Sequence, residues 1–385
     1  MTQNDFLPFS KPYLNRAAID EVVACLESGW ITTGPRVQQF ENMLKDYLQA
    51  PHVLALSTAT AGLHLSLLHL QLKPGDEVIT SSMTFVATLN AIVLAGGKPV
   101  LVDVDPQTYQ MDMQQLEAAI TPRTRALMPV HFTGLPVDLD LIYKLAEQHG
   151  LRVIEDAAQA IGSEYKGKRI GSFGDTQVFS FHPNKVITTG EGGCIATQDL
   201  ALANSVKVQR FHGIDREAWN RFSKTGSQHY DVIAPGYKYN MMDMQAALGI
   251  HQLPELENIV LQRTELANRY LTAFKDWPEL SLPPIPRYAH RHCWYIFAPL
   301  VNPEAAGMDR DTFMARMKEA NIGTGLHYEA AHLYHYYRET FGFKPGDFPH
   351  AEIIGERIVS LPLFPGMTRA DQDRVIDTMF SIFRQ

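Results

Sequence analysis

Apolar, strand-like runs alternate with helical stretches between residues 53 and 211, and this alternation constrains the fold more than any other feature. Helical spacing of apolar residues is seen near 63–70, 86–95, 113–120, 139–149 and 200–211. The strand-like runs are 53–56, 77–80, 99–104, 126–130, 152–155, 176–181 and 193–197. Most of these runs are continuously apolar, which indicates strands that are buried on both faces. The pattern predicts an α/β fold in which helices cover a largely parallel sheet.

The pattern of the sequence changes near residue 250. One long helix is predicted over 253–277, with Pro254 at its start, and a proline-rich break follows it. Beyond the break, the sequence predicts strands at 292–301 and 322–327 and helices near 310–320 and 369–383. A chain of 385 residues is longer than one average domain. We therefore predict a large domain over 1–252 and a smaller α+β domain over 253–385, with the N-terminal segment free to pack on the small domain.

Charge and cysteine usage exclude several classes of protein. The formal net charge is -8, from 34 basic and 42 acidic residues, and no basic cluster is present. Attraction to nucleic acid or to an anionic membrane surface is therefore not expected. Cys25, Cys194 and Cys293 lie far apart without CxxC spacing, which is typical of a reduced, cytoplasmic protein without structural zinc.

Targeting and metal signals are also missing from the sequence. The N-terminal residues lack the basic and apolar regions of a signal peptide, and no window approaches a membrane span. The fifteen histidines are scattered and form neither an HExxH motif nor another paired metal spacing. We expect neither membrane association nor a bound metal.

Lys185 stands in a polar, glycine-rich turn directly after a predicted buried strand, in the segment FSFHPNKVITTGEGGC over 179–194. A lone lysine in such a turn is usually a solvated surface residue. Asp156, in RVIEDAAQA, also stands just past an apolar strand. An amine and a carboxylate on neighbouring strand ends of an α/β chain favour a site that holds an aldehyde cofactor.

A strand that runs into the Ser57–Gly62 turn and then into a helix offers hydroxyls and free backbone N–H groups to a phosphate. A simple capped helix start explains the same residues equally well. No GxGxxG motif follows a strand, and the GEGGC glycines lack the GK[ST] of a nucleotide-binding P-loop. Nicotinamide dinucleotide and P-loop nucleotide sites therefore lose their main support.

Together the three features have one chemical meaning. Pyridoxal phosphate needs a lysine for covalent attachment, a carboxylate that keeps its ring nitrogen protonated and a cradle for its phosphate. A hydrogen bond between such a carboxylate and the pyridinium contributes about 1.5–3 kcal/mol. Phe85 follows a predicted strand and is placed to cover the face of the ring, although an ordinary core position explains it as well.

The chain resembles the DegT/DnrJ/StrS family of nucleotide-sugar aminotransferases, a branch of the aspartate-aminotransferase fold, over essentially its whole length. Two further segments, GTGLHYEAAH (323–332) and SLPLFPGMT (360–368), look most like the family members that make UDP-4-amino-4-deoxy-L-arabinose for lipid A. The segments that carry the family resemblance are SGWITTGPR (28–36), SSMTFVATLNAI (81–92), VDVDPQT (102–108), VIEDAAQAIGSEYKGKRIGSFGD (153–175), FSFHPNKVITTGEGG (179–193) and GYKYNMMDMQAALG (236–249).

The resemblance implies a role for each matching residue. Lys185 is the expected Schiff-base lysine, Asp156 the partner of the ring nitrogen, and Gln159 the partner of the ring hydroxyl. Phe85 is expected to stack on the ring. Phosphate contacts are expected from Thr60, Ala61 and Ser180, and from Asn240 of a second subunit, which implies a homodimer with shared sites. The residues expected near the sugar are Trp30, Ile31, Thr32, Thr33, His182 and His327.

The resemblance implies transfer of an amino group, with L-glutamate as donor, to a nucleotide-linked 4-keto sugar, for cell-surface or lipopolysaccharide amino-sugar synthesis. A UDP-4-keto-pentose is the favoured substrate, and a UDP- or dTDP-4-keto-6-deoxyhexose is the alternative. A non-catalytic sugar-nucleotide sensor on the same fold and a nicotinamide oxidoreductase are the alternatives from other classes. Lys185 favours transamination because family members with histidine there dehydrate sugars. Val186, where the family usually has asparagine, is the one departure.

Overall fold

The computed structural model of this chain describes residues 5–215 and 229–384. Its helices are α1 (Arg16–Glu27), α2 (Pro35–Leu48), α3 (Ala59–His69), α4 (Val86–Leu94), α5 (Met113–Ala119), α6 (Leu139–His149), α7 (Leu200–Gln209), α8 (Asp243–Gln252), α9 (Leu256–Phe274), α10 (Pro303–Ala306), α11 (Arg310–Glu319), α12 (His335–Phe341), α13 (Pro349–Arg357) and α14 (Arg369–Phe383). Its strands are β1 (His52–Leu56), β2 (Glu77–Ser81), β3 (Lys98–Val102), β4 (Thr124–Met128), β5 (Arg152–Asp156), β6 (Glu164–Tyr165), β7 (Lys168–Arg169), β8 (Thr176–Ser180), β9 (Gly193–Thr197), β10 (Leu280–Ser281), β11 (His290–Arg291) and β12 (Leu300–Val301).

A seven-stranded mixed sheet in the order β1-β9-β8-β5-β4-β2-β3 forms the centre of the fold. The five strands from β8 to β3 run parallel, while β9 is antiparallel to both β1 and β8. This confirms the predicted α/β class with a largely parallel sheet. The one antiparallel strand is possible because β8 and β9 are joined by the lysine-bearing turn and not by a helix.

Helices cover both faces of the sheet, since successive side chains of a strand point to opposite faces. Leu54 and Val178 pack with α3, α4 and α7 on one face. Val53 and Phe179, each one residue away, pack with α2, α5 and α6 on the other. Burial on both faces explains why the strands are continuously apolar in sequence.

The C-terminal part of the chain has a second cluster of buried apolar side chains. Helices α9, α11 and α14 contribute to it, and Leu7 from the N-terminal segment joins them. Leu7 also forms a parallel bridge with Ile322. The main cluster, however, includes residues such as Tyr295 and Ile354 from beyond residue 252. The domain boundary at 252 therefore stays a prediction.

Three predicted elements in this region were wrong in extent. A 3-10 turn over Leu253–Glu255 precedes α9, which ends at Phe274 and not at Trp277. Only Leu300–Val301 of the predicted strand 292–301 is paired as a strand, and 322–327 makes only isolated bridges. The segment 292–301 is buried, whereas 322–327 is buried only at its two ends. An apolar run alone does not separate a buried loop from a strand.

In the described part of the chain, no helix combines the length and the apolar character needed to cross a lipid bilayer. Cys25, Cys194 and Cys293 are buried and unpaired. Among the residues described, no group of three or more histidines, cysteines or carboxylates is arranged to hold a metal ion.

Candidate active site

Asp156 and Lys185 stand at the ends of two adjacent strands. Asp156 is the last residue of β5, which pairs in parallel with β8, where Val178 is its partner. The chain leaves β8 at Ser180 and turns, with the Lys185 N–H donating to His182 O at 2.9 Å. Because the carboxyl ends of parallel strands lie at one edge of a sheet, the turn places Lys185 on the same side as Asp156. Its Nζ lies 4.1 Å from the centre of the Tyr295 ring.

The carboxylate of Asp156 is buried and hydrogen-bonded on both oxygens. Thr88 Oγ1 donates to Oδ2 at 2.7 Å, and the Ala158 N–H donates to Oδ1 at 3.2 Å. Burial raises the pKa of Asp156, while the two hydrogen bonds and the positive charge of Lys185 oppose that rise. A carboxylate held in this way is poised to accept a further proton donor.

Gln159 has a fixed amide orientation. The Thr133 N–H donates to its Oε1 at 2.8 Å, which leaves Nε2 as the donor toward the Tyr328 hydroxyl at 3.3 Å. Thr133 has φ 61°, a left-handed backbone conformation that is uncommon for a β-branched residue. The backbone N–H of Thr133 therefore fixes the orientation of the Gln159 amide.

Aromatic side chains form one wall of the site. Phe85, the N-cap residue of α4, is 51% exposed, and its ring centre lies 5.5 Å from that of Tyr328. His327 is 5.2 Å from the Tyr328 ring and accepts or donates a hydrogen bond between Nδ1 and Ser360 Oγ at 2.9 Å. Burial, aided by the nearby Lys185 charge, lowers the pKa of His327 to about 4. The imidazole is therefore neutral near pH 7.

The lowered pKa of His327 predicts a loss of stability in mild acid. Below pH 6.5 the unfolded chain binds a proton at His327 that the folded chain does not bind until about pH 4. Stability therefore falls as the pH falls through this window, by up to about 3 kcal/mol for a shift of this size. His327→Asn removes the titrating group, so we expect its free energy of unfolding to fall less steeply between pH 7 and pH 4.

Urea unfolding at a series of pH values measures this difference. His149→Asn at an exposed position in α6 is the control and should keep the wild-type slope. Parallel wild-type and His327→Asn profiles would contradict the assignment.

The start of α3 has the features of a phosphate site. Thr58 caps the helix by accepting the Ala61 N–H at 3.0 Å, and the first N–H groups of a helix have no intrahelical acceptor. Ser180 pairs with Gly193 across β8 and β9. A Cβ on Gly193 would lie 2.5 Å from Ala59 N, so the missing side chain lets the strand end approach the helix start. Thr60, on the first turn of α3, is exposed.

These residues fit pyridoxal phosphate, the cofactor that the resemblance implies. A free amine, a buried carboxylate with spare acceptor capacity, an aromatic side chain and a helix N-terminus match the aldehyde, ring nitrogen, ring face and phosphate of that molecule. The close approach of the strand end at Gly193 to the N-terminus of α3 is the structural observation that supports the phosphate position.

Asn240 and the Trp30–Thr33 loop contact each other beside the end of β1, where Asn240 forms an antiparallel bridge with Leu56. Asn240 Nδ2 donates to Thr33 Oγ1 at 2.5 Å, and Lys238 Nζ donates to Asn240 Oδ1 at 2.7 Å. The loop of Trp30, Ile31, Thr32 and Thr33 is held to the segment that follows Asn240, since Thr32 O accepts the Asp243 N–H. Thr33 and Asn240 also line a cavity of about 240 Å³ between α2, β1 and α7. His182 is exposed beside the lysine turn, with Nδ1 2.8 Å from Asn184 Oδ1.

Sequence reasoning missed three residues of the site: Thr88, Tyr295 and Tyr328. Thr88 could have been found, because it lies three residues after Phe85 on a predicted helix and so shares its face. Tyr328 could also have been found, because it directly follows His327 in the segment GTGLHYEAAH. Tyr295 gave no signal, since it lies in an apolar run that was interpreted as a buried strand.

Comparison with known proteins gives a consistent result. The model of the DegT/DnrJ/EryC1/StrS aminotransferase family matches residues 12–380. The spore coat polysaccharide biosynthesis protein SpsC of Bacillus subtilis is 45% identical over 386 residues, which covers 99% of this chain and 98% of SpsC.

Solved structures agree in fold over the whole chain. The putative sugar aminotransferase Spr1654 of Streptococcus pneumoniae, in its PMP form, has a TM-score of 0.91 at 30% identity, covering 98% of this chain and 99% of that one. Its PLP form has a TM-score of 0.90 at 31% identity, with 98% and 99% covered. Helicobacter pylori PseC, an aminotransferase involved in pseudoaminic acid biosynthesis, has a TM-score of 0.91 at 27% identity, with 99% and 100% covered.

Proposed function

Because this chain belongs to the DegT/DnrJ/EryC1/StrS aminotransferase family and is a pyridoxal-phosphate-dependent sugar aminotransferase, we propose that it transfers an amino group to a nucleotide-linked keto sugar. L-Glutamate is the proposed donor. The observation that carries the proposal is the position of Asp156 at the end of β5 and of Lys185 in the turn that follows the neighbouring strand β8, with Lys185 over the Tyr295 ring.

Lys185 is the proposed catalytic residue. Pyridoxal phosphate, when bound, supplies an aldehyde that takes up the amino group and a ring that withdraws electrons. The Lys185 amine would hold the cofactor through its aldehyde and, when free, would carry a proton at Nζ. The Tyr295 ring lies 4.1 Å from Nζ, so it offers a cation–π contact to the ammonium group.

Other side chains are proposed to hold and orient the cofactor and the sugar. The Asp156 carboxylate would accept the ring N–H, and its negative charge would keep that proton in place. Gln159 is oriented by Thr133 so that Nε2, which contacts the Tyr328 hydroxyl, would be the donor to the ring hydroxyl. Phe85 covers the ring face. Thr60, Ala61 and Ser180 surround the phosphate at the N-terminus of α3, where the helix dipole favours negative charge. His327, neutral at pH 7, is available as a hydrogen-bonding partner for the sugar.

The proposed acceptor is a UDP- or dTDP-linked 4-keto sugar. The relatives described above are named for spore coat polysaccharide and for pseudoaminic acid biosynthesis, and they give no support to the specific resemblance to UDP-4-amino-4-deoxy-L-arabinose enzymes. A UDP-4-keto-pentose therefore stands beside UDP- and dTDP-4-keto-6-deoxyhexoses as a candidate. The product would serve cell-surface polysaccharide or lipopolysaccharide synthesis in the cytoplasm.

Incubation of the loaded enzyme with L-glutamate and a panel of these keto sugars tests the proposal. Mass spectrometry should show one amino-sugar nucleotide, together with 2-oxoglutarate in equal amount. A protein that binds the cofactor but forms no amino sugar from any member of the panel would contradict the proposed substrate class. A protein with no cofactor absorbance would support a non-catalytic sensor.

We further propose that two copies of the chain share each active site, with Asn240 acting in the partner's site. Five exposed apolar side chains lie on α1 and near the Trp30–Thr33 loop, namely Ile19, Val23, Leu26, Ile31 and Met242. Apolar surface of this kind is typical of a protein interface. Asn240 donates to Thr33 in the loop that borders this surface, which supports a role for Asn240 close to a second copy.

Mixing two inactive variants tests the shared site. Lys185→Ala lacks the amine, and Asn240→Ala lacks the proposed phosphate contact. If Asn240 acts across the dimer, a hybrid dimer contains one intact site, and co-refolded mixtures should regain activity that neither variant has alone. If Asn240 acts in its own chain, both sites of every hybrid stay defective and the mixture gains nothing. Ultracentrifugation of each sample confirms that dimers are present.

A further inference from the structure

The hydroxyls of two buried threonines at the start of α4 form a series of hydrogen bonds that ends at the Asp156 carboxylate. Thr88 Oγ1 lies 2.7 Å from Asp156 Oδ2, and Thr84 Oγ1 lies 2.7 Å from Thr88 Oγ1. Thr84 and Thr88 are 1% and 0% exposed, so water does not compete for these hydrogen bonds. Both distances are typical of well-formed hydrogen bonds from hydroxyl donors.

The protonation state of Asp156 sets the direction of this chain of hydrogen bonds. An ionised carboxylate only accepts, so the Thr88 hydroxyl must donate to it. The Thr88 oxygen is then free to accept, and the Thr84 hydroxyl becomes its donor. If Asp156 were protonated on Oδ2, the Thr88 hydroxyl would have to accept that proton and turn its own toward Thr84. A hydrogen bond donated by the Thr88 hydroxyl to Oδ2 stabilises the ionised form of the carboxylate.

We propose that Thr88 is a positioning residue that keeps Asp156 ionised and correctly oriented for the ring nitrogen of the cofactor, with Thr84 supporting it. The proposal rests on the proposed function for the identity of the cofactor. The side chain of Thr88 makes the only side-chain hydrogen bond to Asp156 among the described residues. The other donor is the Ala158 backbone, which substitution does not remove.

The geometry of α4 gives Thr88 this role. Phe85 is the N-cap of α4, and Thr88 lies three residues later, on the same side of the first turn. The Thr88 N–H also donates to Phe85 O at 3.1 Å, which fixes the turn. One turn of helix thus supplies both the side chain proposed to cover the ring and the hydroxyl that orients the carboxylate under its nitrogen.

The test compares two cofactors in three variants. Thr88→Val removes the hydroxyl at nearly constant volume, Thr88→Ser keeps it, and Thr80→Val is the control. Thr80 is also fully buried, and its hydroxyl donates to Met128 O on the neighbouring strand. The ligands are pyridoxal phosphate and its analogue with carbon in place of the ring nitrogen. Dissociation constants come from titration of the cofactor-free proteins, and thermal unfolding checks that each variant is folded.

We expect Thr88→Val to weaken pyridoxal phosphate binding by about 10- to 100-fold, as for loss of a hydrogen bond to a charged group. It should not weaken binding of the analogue, which has no ring proton for Asp156 to accept. Thr88→Ser should keep wild-type affinity, and Thr80→Val should change neither constant.

If Thr88→Val weakened the binding of both ligands equally, the role of Thr88 would be purely structural and the proposal would be overturned. Unchanged affinity for pyridoxal phosphate would overturn it too. Failure of the wild-type protein to bind pyridoxal phosphate would instead count against the proposed function. If Thr88→Val is unfolded, the same comparison with Thr84→Val, with a smaller expected loss, decides the matter.

Discussion

Lys185→Ala is expected to abolish turnover and to leave the fold intact. The variant lacks the amine that attaches to the cofactor and carries the proton, and general acid–base catalysis alone typically contributes about 10²–10⁴-fold. Loss of covalent catalysis adds to this, so activity should fall below detection. The structural cost is small, because the described contact of Nζ is with the Tyr295 ring, worth about 0.5–2 kcal/mol.

Steady-state assays should compare Lys185→Ala with Lys185→Arg and with the control variant Lys168→Ala. Arginine keeps the positive charge but is not deprotonated in proteins, so Lys185→Arg should be equally inactive. Lys168 is exposed on the β7 strand, and its removal should leave the rate unchanged. Borohydride reduction followed by peptide mapping should attach the cofactor to Lys185 in the wild type. Appreciable turnover by Lys185→Ala would refute the assignment of the catalytic lysine.

Asp156→Asn is expected to cause the second largest loss of activity. Its stability without cofactor, in contrast, should not fall. Without the negative charge, the ring nitrogen loses the partner that keeps it protonated, and electrostatic losses of this kind typically lower kcat by about 10²–10³-fold. The cofactor-free variant should nevertheless be at least as stable as the wild type. Burial raises the pKa of Asp156, so above that pKa the folded chain bears the cost of an ionised buried group.

The sign of the stability effect follows from proton binding. Between the ordinary pKa of 3.8 and the raised pKa in the folded protein, the folded state binds more protons than the unfolded state. Wild-type stability therefore falls as the pH rises through this window, and the penalty persists at neutral pH. Asparagine does not titrate, so the stability of the cofactor-free variant relative to wild type should be greatest above this pH window.

Chemical denaturation of Asp156→Asn and Asp103→Asn makes the contrast clear. Asp103 is also buried, but its carboxylate accepts the N–H groups of His350 and Ala351 at the start of α13. Replacing it should cost about 1–3 kcal/mol, because an amide replaces one acceptor oxygen with a donor. A loss of stability in cofactor-free Asp156→Asn as large as that in Asp103→Asn would contradict the explanation.

The sheet and the first half of the site were predictable because their signals are local. Each apolar run between residues 53 and 197 is followed by polar or glycine-rich residues, so strand ends are visible in the sequence. Asp156 and Lys185 stand at two such ends, and parallel pairing of β5 with β8 brings them to one edge. The predicted strand at 292–301 failed because residues such as Cys293 are buried without strand pairing, and Phe297 forms only an isolated bridge with Leu361.

The support around Asp156 and Gln159 could not be predicted in the same way. Thr133 acts through its backbone N–H in a left-handed conformation that its residue type does not suggest. Tyr295 lies more than a hundred residues after Lys185, so only the tertiary fold brings its ring under the amine.

The buried Asp156 also joins cofactor binding to folding in one thermodynamic cycle. A ring N–H that pairs with the carboxylate offsets the cost of burying it, so the same interaction contributes to both equilibria. The apparent melting temperature should therefore rise with cofactor concentration, by an amount equivalent to about 2.7 kcal/mol at one hundred times the dissociation constant. Cofactor supply would then set how much of the chain survives proteolysis as well as how much of it is active.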